Sequence, residues 1–418
     1  MRIVFLSPVA ETGGAERMLL DTLAGLREQA PDWSLHVVAG EEGRLMQQAR
    51  QLGAETSTVA FPSAFSRIGD AGAGGSAGNQ VRVHSVISRS ALAAPRMAQY
   101  SLRLRAELDR LRPDVIHTNG HKMHVLGALS ARRRPVVWHM HEFIGGRRLV
   151  RPMLQWQAGR CCAAVAISHA VGSDVQSAFG PKMPVHEIPN GVNLDRFSPE
   201  GETADLDGLS GLPPAQPGVL RIGLIATMAR WKGHETFLRA LAQLRDLPVR
   251  GYIVGGAIYR TAGSQYEPAE LRNLAGNLGL GNRIGFTGEM ASSIRAMRAL
   301  DLVVHASTAP EPFGLVIAEA MGCGRAVIFA QGAGAAESIR VGVEALYHKP
   351  GDSTDLAAQL RRLAIDPELR ARMGTMARAR AIKRFDRRRV AAELIDLYRQ
   401  IALPSSEPVY RDYRASTA

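Results

Sequence analysis

Cysteine is scarce: the 418 residues contain three, Cys161, Cys162 and Cys323. Two of them are adjacent, which is poor geometry for a mutual disulfide, and none has the two-residue spacing of a zinc or redox site. A disulfide framework is therefore not expected, and a reducing compartment is. Aromatic residues make up only 6% of the chain. No zinc finger, RNA-binding aromatic signature or heptad-linked basic region accompanies them, so nucleic-acid binding has only charge behind it. Long apolar runs are also missing, since no stretch approaches the roughly eighteen residues that span a bilayer. The first apolar run ends at Pro8, too short for a signal-peptide core. A cytoplasmic protein is the expectation.

Acidic residues are in the minority, 39 against 51 Lys and Arg, for a formal charge of +12. That balance favours anionic partners such as phosphorylated ligands or an anionic membrane surface, and equally describes a generally basic, arginine-rich surface. A hydrophobic fraction of 46% with 22% charged residues belongs to a soluble globular chain. At this length two domains of roughly 200 residues are expected.

Short apolar runs alternate with stretches of helical period, the pattern of parallel sheets with crossover helices. In the first half the expected strands are 3–6, 35–39, 115–117, 136–139, 163–167 and 185–188, and residues 15–29 place Leu19, Leu23 and Leu26 on one helical face. The rhythm lapses into a polar, Pro- and Gly-rich run at 197–218, then resumes with strands at 221–226, 251–254, 283–286, 302–305 and 326–329. An α/β protein of two similar halves is implied: domain 1–196, linker 197–218, domain 219–385, a further helix at 386–403 and a tail at 404–418. The glycine-rich segment 70–79 reads as a mobile loop.

Glu311 and Glu319 stand eight positions apart around Pro312-Phe313-Gly314-Leu315 and an apolar run that reads as a helix start. If Phe313 and Gly314 open that helix, its free backbone N–H groups and dipole favour a diphosphate. Glu319 can then accept from vicinal ribose hydroxyls, and Glu311 from hydroxyls of a sugar. The plain alternative is a helix cap and a solvent-facing acid.

The complete string Glu311-Pro-Phe-Gly-Leu-Val-Ile-Ala-Glu319-Ala-Met, after a strand in the second α/β half, resembles the donor-site signature of the group-four retaining glycosyltransferases. The resemblance covers nearly the whole chain. Gly13-Gly14-Ala15-Glu16 resembles the family's glycine loop, His141 the histidine beside the donor sugar, and Pro189-Asn190-Gly191-Val192-Asn193 the turn before the interdomain hinge. The family's Arg-Leu-x-x-x-Lys-Gly appears here as Thr227-Met-Ala-Arg230-Trp-Lys232-Gly233. Lys232 matches, Thr227 occupies the arginine position, and Arg230 is displaced toward the lysine. Asn119 and His121, after an earlier strand end, suggest an acceptor-side rim.

The resemblance implies the GT-B fold, two Rossmann-like doubly wound domains facing across a cleft, with the 386–403 helix crossing back to the first domain. It implies a nucleoside-diphosphate sugar as donor substrate, a hydroxyl acceptor in polysaccharide or glycolipid assembly, and retention of anomeric configuration. Lys232, Arg230 and the helix start at Phe313, Gly314 and Leu315 are expected on the diphosphate, Glu319 on the ribose and Glu311 on the sugar. Gly13, Gly14 and His141 are expected to close the site from the first domain. Asp205-Leu-Asp207 fits a metal-binding Asp-x-Asp formally but lies in the presumed linker, so no metal and no cofactor are expected. The arginines at 132–134, 147, 148 and 151 suggest peripheral contact with an anionic membrane carrying a lipid-linked acceptor. Competing readings are an epimerase or phosphorylase on the same layout, and a non-catalytic nucleic-acid-binding protein, which would explain the charge but not the acid string.

Overall fold

The computed structural model describes residues 1–11, 13–62, 83–147, 150–181, 183–257, 263–290 and 292–402. The glycine-rich segment 70–79, Arg148 and the tail 404–418 lie outside the described residues. The chain divides into two compact units, one formed by Met1–Gly191 with Arg387–Ala418 and the other by Val192–Asp386.

In the first unit seven parallel strands, β1 Arg2–Ser7, β2 Ser34–Ala39, β3 Glu55–Thr58, β4 Val115–Asn119, β5 Val136–Met140, β6 Ala163–Ala166 and β7 Val185–Glu187, lie in the order β3-β2-β1-β4-β5-β6-β7. Strands buried on both faces read as nearly continuous apolar runs, as β1 and β5 do. Edge strand β3, Glu55-Thr-Ser-Thr, is polar and partly exposed. That composition explains why apolar periodicity passed over it. Helix Gly14–Gln29 buries Leu19, Leu23 and Leu26, and helix Arg387–Ala402 buries Val390, Leu394 and Tyr398 into the same core. The two helices cross closely at Gly25, where a Cβ would lie 2.7 Å from the Ala391 Cβ.

The second unit holds six parallel strands, β8 Leu220–Ile225, β9 Val249–Val254, β10 Ile284–Gly288, β11 Leu302–His305, β12 Ala326–Ala330 and β13 Leu346–His348, in the order β10-β9-β8-β11-β12-β13. Ile222, Leu224, Phe237, Leu241, Ile253, Val304, Ile328 and Leu360 are core residues. The three-residue β13 was too short to be read from apolar pattern.

The run 197–218, expected as a linker, belongs to this second unit and contains the helix Leu206–Leu209. Asp205 caps that helix, accepting from the Gly208 N–H at 2.9 Å. Asp207 is 2% exposed, and its carboxylate accepts from Arg250 and Tyr252 at 2.6 Å each and from Arg221 at 2.9 Å. A buried carboxylate needs such partners, and here they tie the polar run to β8 and β9. Both aspartates of the Asp-x-Asp string thus have structural partners.

Each strand order reverses direction once, between β1 and β4 in the first sheet and between β8 and β11 in the second. Beyond the carboxyl ends of strands at such a reversal, neighbouring loops diverge and leave a crevice for ligands.

Candidate active site

The loop after β8 and the loop after β11 meet at the reversal of the second sheet. Lys232 comes from the first and lies 2.6 Å, Nζ to Oε1, from Glu311 of the second. Their side chains are only 16% and 12% exposed. The lysine is delivered by a short 3-10 turn, Arg230–Lys232, that ends at Gly233. Gly233 has φ +75°, and a Cβ there would meet the Ala306 carbonyl oxygen at 1.8 Å, so the two loops approach this closely only because residue 233 has no side chain.

Two further groups hold Glu311. His305, the last residue of β11, accepts the Ala330 N–H at its Nδ1 at 3.4 Å, which leaves Nε2 protonated to donate to Glu311 Oε2 at 2.7 Å. The Ser307 hydroxyl donates to the same oxygen at 2.6 Å. Burial alone would raise the Glu311 carboxyl. The Lys232 charge, with His305, overcomes that and holds it well below the usual carboxylate range. A fixed anion results, with one cation beside it.

Helix Leu315–Gly322 begins next to this cluster. Gly314 precedes it at φ +91° and no side chain caps it, so the first N–H groups, Leu315 and Val316, have no intrahelical acceptor. A Cβ on Gly314 would come 3.1 Å from Ile317 and 3.5 Å from His305 Nε2. Lys232, His305, Ser307 and Val316 line one small concavity. Phe313, expected as part of the helix opening, instead buries its ring edge-on to Phe385 at 5.9 Å, and its carbonyl accepts from the Ala335 N–H at 2.8 Å. It anchors the loop, and the helix begins two residues later. Glu319, four residues into that helix, is 7% exposed and not solvent-facing.

Arg230 is not brought into the cluster. Its guanidinium reaches Glu270 at 2.9 Å and stands 4.5 Å from the Tyr266 ring centroid. Two residues of separation along the tight turn send the arginine and lysine to different partners. Thr227, at the position expected for an arginine, has a buried hydroxyl with no partner among the described residues.

In the first unit, Gly13 precedes helix Gly14–Gln29, and its N–H donates to the Glu16 carboxylate at 3.0 Å. A Cβ on Gly13 would meet that carboxylate at 2.8 Å, whereas one on Gly14 meets nothing within 4 Å. Of the two glycines expected to close the site, Gly13 has its N–H engaged by its own helix and Gly14 is the open position.

His141 follows β5 and is half-buried, its Nε2 2.5 Å from Asn119 Oδ1. Burial, and then the neighbouring His139, lower its basicity well below that of a free histidine. Asn119, expected on an acceptor-side rim, is 2% exposed and orients His141 instead. The reason is position: Asn119 is the last residue of β4, an interior strand of the sheet that is buried on both faces. His121 opens helix His121–Ser130, with its Nε2 3.3 Å from Glu142 Oε2.

Sequence reasoning missed His305 and Ser307. The only local signal was their position, six and four residues before Glu311 at a strand end. Nothing in the local pattern announced that both would turn onto the same carboxylate.

Two doubly wound parallel-sheet units, the second with an acid and a lysine at its reversal point, make up the GT-B architecture. The solved structure of Anabaena Alr3699/HepE in complex with UDP superposes with a TM-score of 0.77 at 26% identity, covering 96% of this chain and all of that one. The family described as glycosyl transferases group 1 matches residues 216–380, and that described as glycosyltransferase family 4 matches residues 12–196. The D-inositol 3-phosphate glycosyltransferase of Xylanimonas cellulosilytica is 30% identical over 322 residues, 71% of this chain and 75% of that relative. That of Nocardiopsis dassonvillei is 31% identical over 229 residues, 53% of this chain and 52% of the relative. The chain spans about half the length of the first curated relatives it matches. It belongs to the group 1, family 4 glycosyltransferases.

Proposed function

We propose that this protein transfers a hexose from a nucleoside-diphosphate sugar to a hydroxyl acceptor with retention of configuration. The observation that carries the reading is the Lys232–Glu311 pair, 2.6 Å apart at the reversal of the second sheet and beside the uncapped start of helix Leu315–Gly322. A departing diphosphate develops negative charge, and a lysine with backbone N–H groups already aimed at it stabilises that charge without reorganisation. Glu311, held as an anion by His305 and Ser307, accepts hydrogen bonds from the hydroxyls of the sugar. Glu319 serves the ribose. In the first unit His141, neutral and oriented by Asn119, serves the donor sugar, with Gly14 as the open residue of the glycine loop.

No side chain is assigned as a covalent nucleophile. The leaving phosphate takes the proton of the incoming acceptor hydroxyl on the face from which it departs, which retains the anomeric configuration. Protein groups alone neutralise the diphosphate, with no divalent metal. A uridine diphosphate donor is favoured by the likeness to HepE, which has been solved with UDP and with UDP-glucose. The deciding experiment is a thermal-shift screen of uridine, guanosine and adenosine diphosphates and their sugars. It is followed by an assay of nucleotide release with and without acceptor or free phosphate, since release that needs phosphate, or sugar interconversion without acceptor, would mean a phosphorylase or an epimerase.

For the acceptor we favour a lipid-linked saccharide reached through peripheral membrane contact. Arg132 and Arg134 lie 3.5 and 2.8 Å from Asp109 and Arg147 pairs with Glu142, so these arginines are locally compensated. The better-suited surface is helix Val150–Gln157, where Met153 and Trp156 are 53% and 63% exposed beside Arg151. Sedimentation with anionic vesicles that Trp156→Ser leaves unchanged would remove this surface from the reading.

A further inference from the structure

Four histidine and asparagine side chains line one face of two neighbouring strands in the first unit. His117 and Asn119 alternate along β4, and His139 and His141 along and just beyond β5. The register sets Asn119 opposite His139. Each β4 residue therefore meets the β5 residue two places farther along: His117 Nε2 lies 3.1 Å from His139 Nδ1, and Asn119 Oδ1 2.5 Å from His141 Nε2. The His139 and His141 rings stack, their centroids 4.1 Å apart and their planes tilted by 32°.

The far end of this row is closed from a distant part of the chain. Tyr398, on helix Arg387–Ala402, places its hydroxyl 2.7 Å from His117 Nδ1. Tyr398, His117 and His139 are 0%, 1% and 4% exposed. Nothing in the mechanism proposed above uses these three polar groups, and burying them is costly unless they hydrogen-bond.

The hydrogen bonds have a direction. With the Tyr398 hydroxyl donating to His117 Nδ1, His117 must carry its proton on Nε2 and donate to His139 Nδ1, and His139 must carry its own on Nε2. Either direction leaves one buried proton without an acceptor among the described residues, that on His139 Nε2 in the forward order and that of the tyrosine hydroxyl in the reverse. The forward order is the stronger, because a phenol is a better donor than an imidazole N–H and an imidazole nitrogen a better acceptor than a phenol oxygen. The forward order therefore sets the tautomer of both rings. Burial, and for His139 the neighbouring His117, lowers the basicity of these rings far below that of free histidine, so both stay neutral. His141 then stacks on an uncharged ring of fixed orientation while Asn119 Oδ1 accepts its Nε2 proton, leaving its Nδ1 lone pair free to accept.

We propose that Tyr398, His117 and His139 are positioning residues that, through a hydrogen-bonded row ending in a ring stack, fix the orientation and proton placement of His141. The role of His141 in sugar transfer rests on the reading above; the ordering of the row does not. The test is Tyr398→Phe in the full chain, which keeps the ring and removes only the hydroxyl. Histidine ring-nitrogen NMR on isotope-labelled protein is expected to show His139 shifting from a single Nε2–H form to a mixture, with a changed His141 signal. Turnover is expected to fall roughly tenfold at little change in donor KM, the result of a misaimed but present group. His117→Gln, whose amide still donates toward His139, should retain more turnover than His117→Phe, and this pair decides the matter if Tyr398→Phe fails to fold. Unchanged ring signals in Tyr398→Phe overturn the proposal, as does a shifted signal with an unchanged turnover number. If the wild-type protein transfers no sugar, the enzymatic reading fails, and the ring signals alone decide whether the row orders His141.

Discussion

Lys232 and Glu311, 79 positions apart in the chain, share a 2.6 Å ion pair that is largely closed to water. Removing one partner of such a pair leaves the other charge buried and uncompensated. Lys232→Ala is therefore expected to destabilise the fold by about 3 kcal/mol. It is also expected to abolish donor turnover. Lys232→Met, which keeps most of the volume, should lose turnover equally, because the stem does not replace the charge. Urea unfolding beside a nucleotide-release assay checks both, and activity retained in Lys232→Met would remove Lys232 from the phosphate site.

His305 donates to the Glu311 carboxylate at 2.7 Å and helps fix its orientation. His305→Ala deletes a donor to a carboxylate, a loss of about 2 kcal/mol, and frees Glu311 to rotate. Turnover is expected to drop by roughly tenfold or more, since misaiming a reacting group by a fraction of an ångström has that effect. His305→Gln, which retains a donor, should recover part of it. Steady-state kinetics on both variants test this, and equal activity of the two would show that the hydrogen bond has no role.

The depressed carboxyl of Glu311 predicts an acid dependence of stability. Its folded-state value lies below that of an unfolded glutamate, so its contribution is complete above the ordinary carboxylate range and is lost as pH falls toward the folded value. Wild type should thus lose stability relative to Glu311→Gln as pH is lowered from about 5 to about 3, either side of the ordinary glutamate value. Parallel unfolding curves at those two values would show the shift is absent.

Gly233→Ala places a Cβ 1.8 Å from the Ala306 carbonyl in a left-handed backbone conformation. The conformational cost alone is about 1–2 kcal/mol. The clash adds to it and must push the Lys232 turn away from β11. A lower melting temperature together with loss of turnover is expected, and an unchanged melting temperature would contradict the close approach.

Because the diphosphate is assigned to protein groups, sugar transfer by chelator-treated protein is expected to match the untreated rate. A rate restored only by added magnesium or manganese would replace that assignment with a metal-assisted one.

Much of the architecture is legible in the sequence. Eleven strands followed from apolar runs, and the helix at residues 15–29 from its leucine spacing, because burial on a sheet face or helix stripe imposes a local period. The polar edge strand β3 and the short β13 escaped because neither has an apolar run. The run at 197–218 read as a linker because it is polar, yet its Asp207 is matched by Arg221, Arg250 and Tyr252, partners that local reading does not reveal.

Sequence by itself determined the α/β class and the two-part organisation, and its resemblance to a family marked the acid string at Glu311 to Glu319 and Lys232; that Lys232 pairs with Glu311 came from the structure. Tertiary structure alone decided that Arg230 turns to Glu270, that His305 and Ser307 join Glu311, that Asn119 orients His141, and that Tyr398 reaches His117 from 281 positions away. The physical reason is range. Local periodicity states which face a residue occupies, while strand order and register choose which faces meet, and only then do distances of 2.5–3 Å select hydrogen-bond partners.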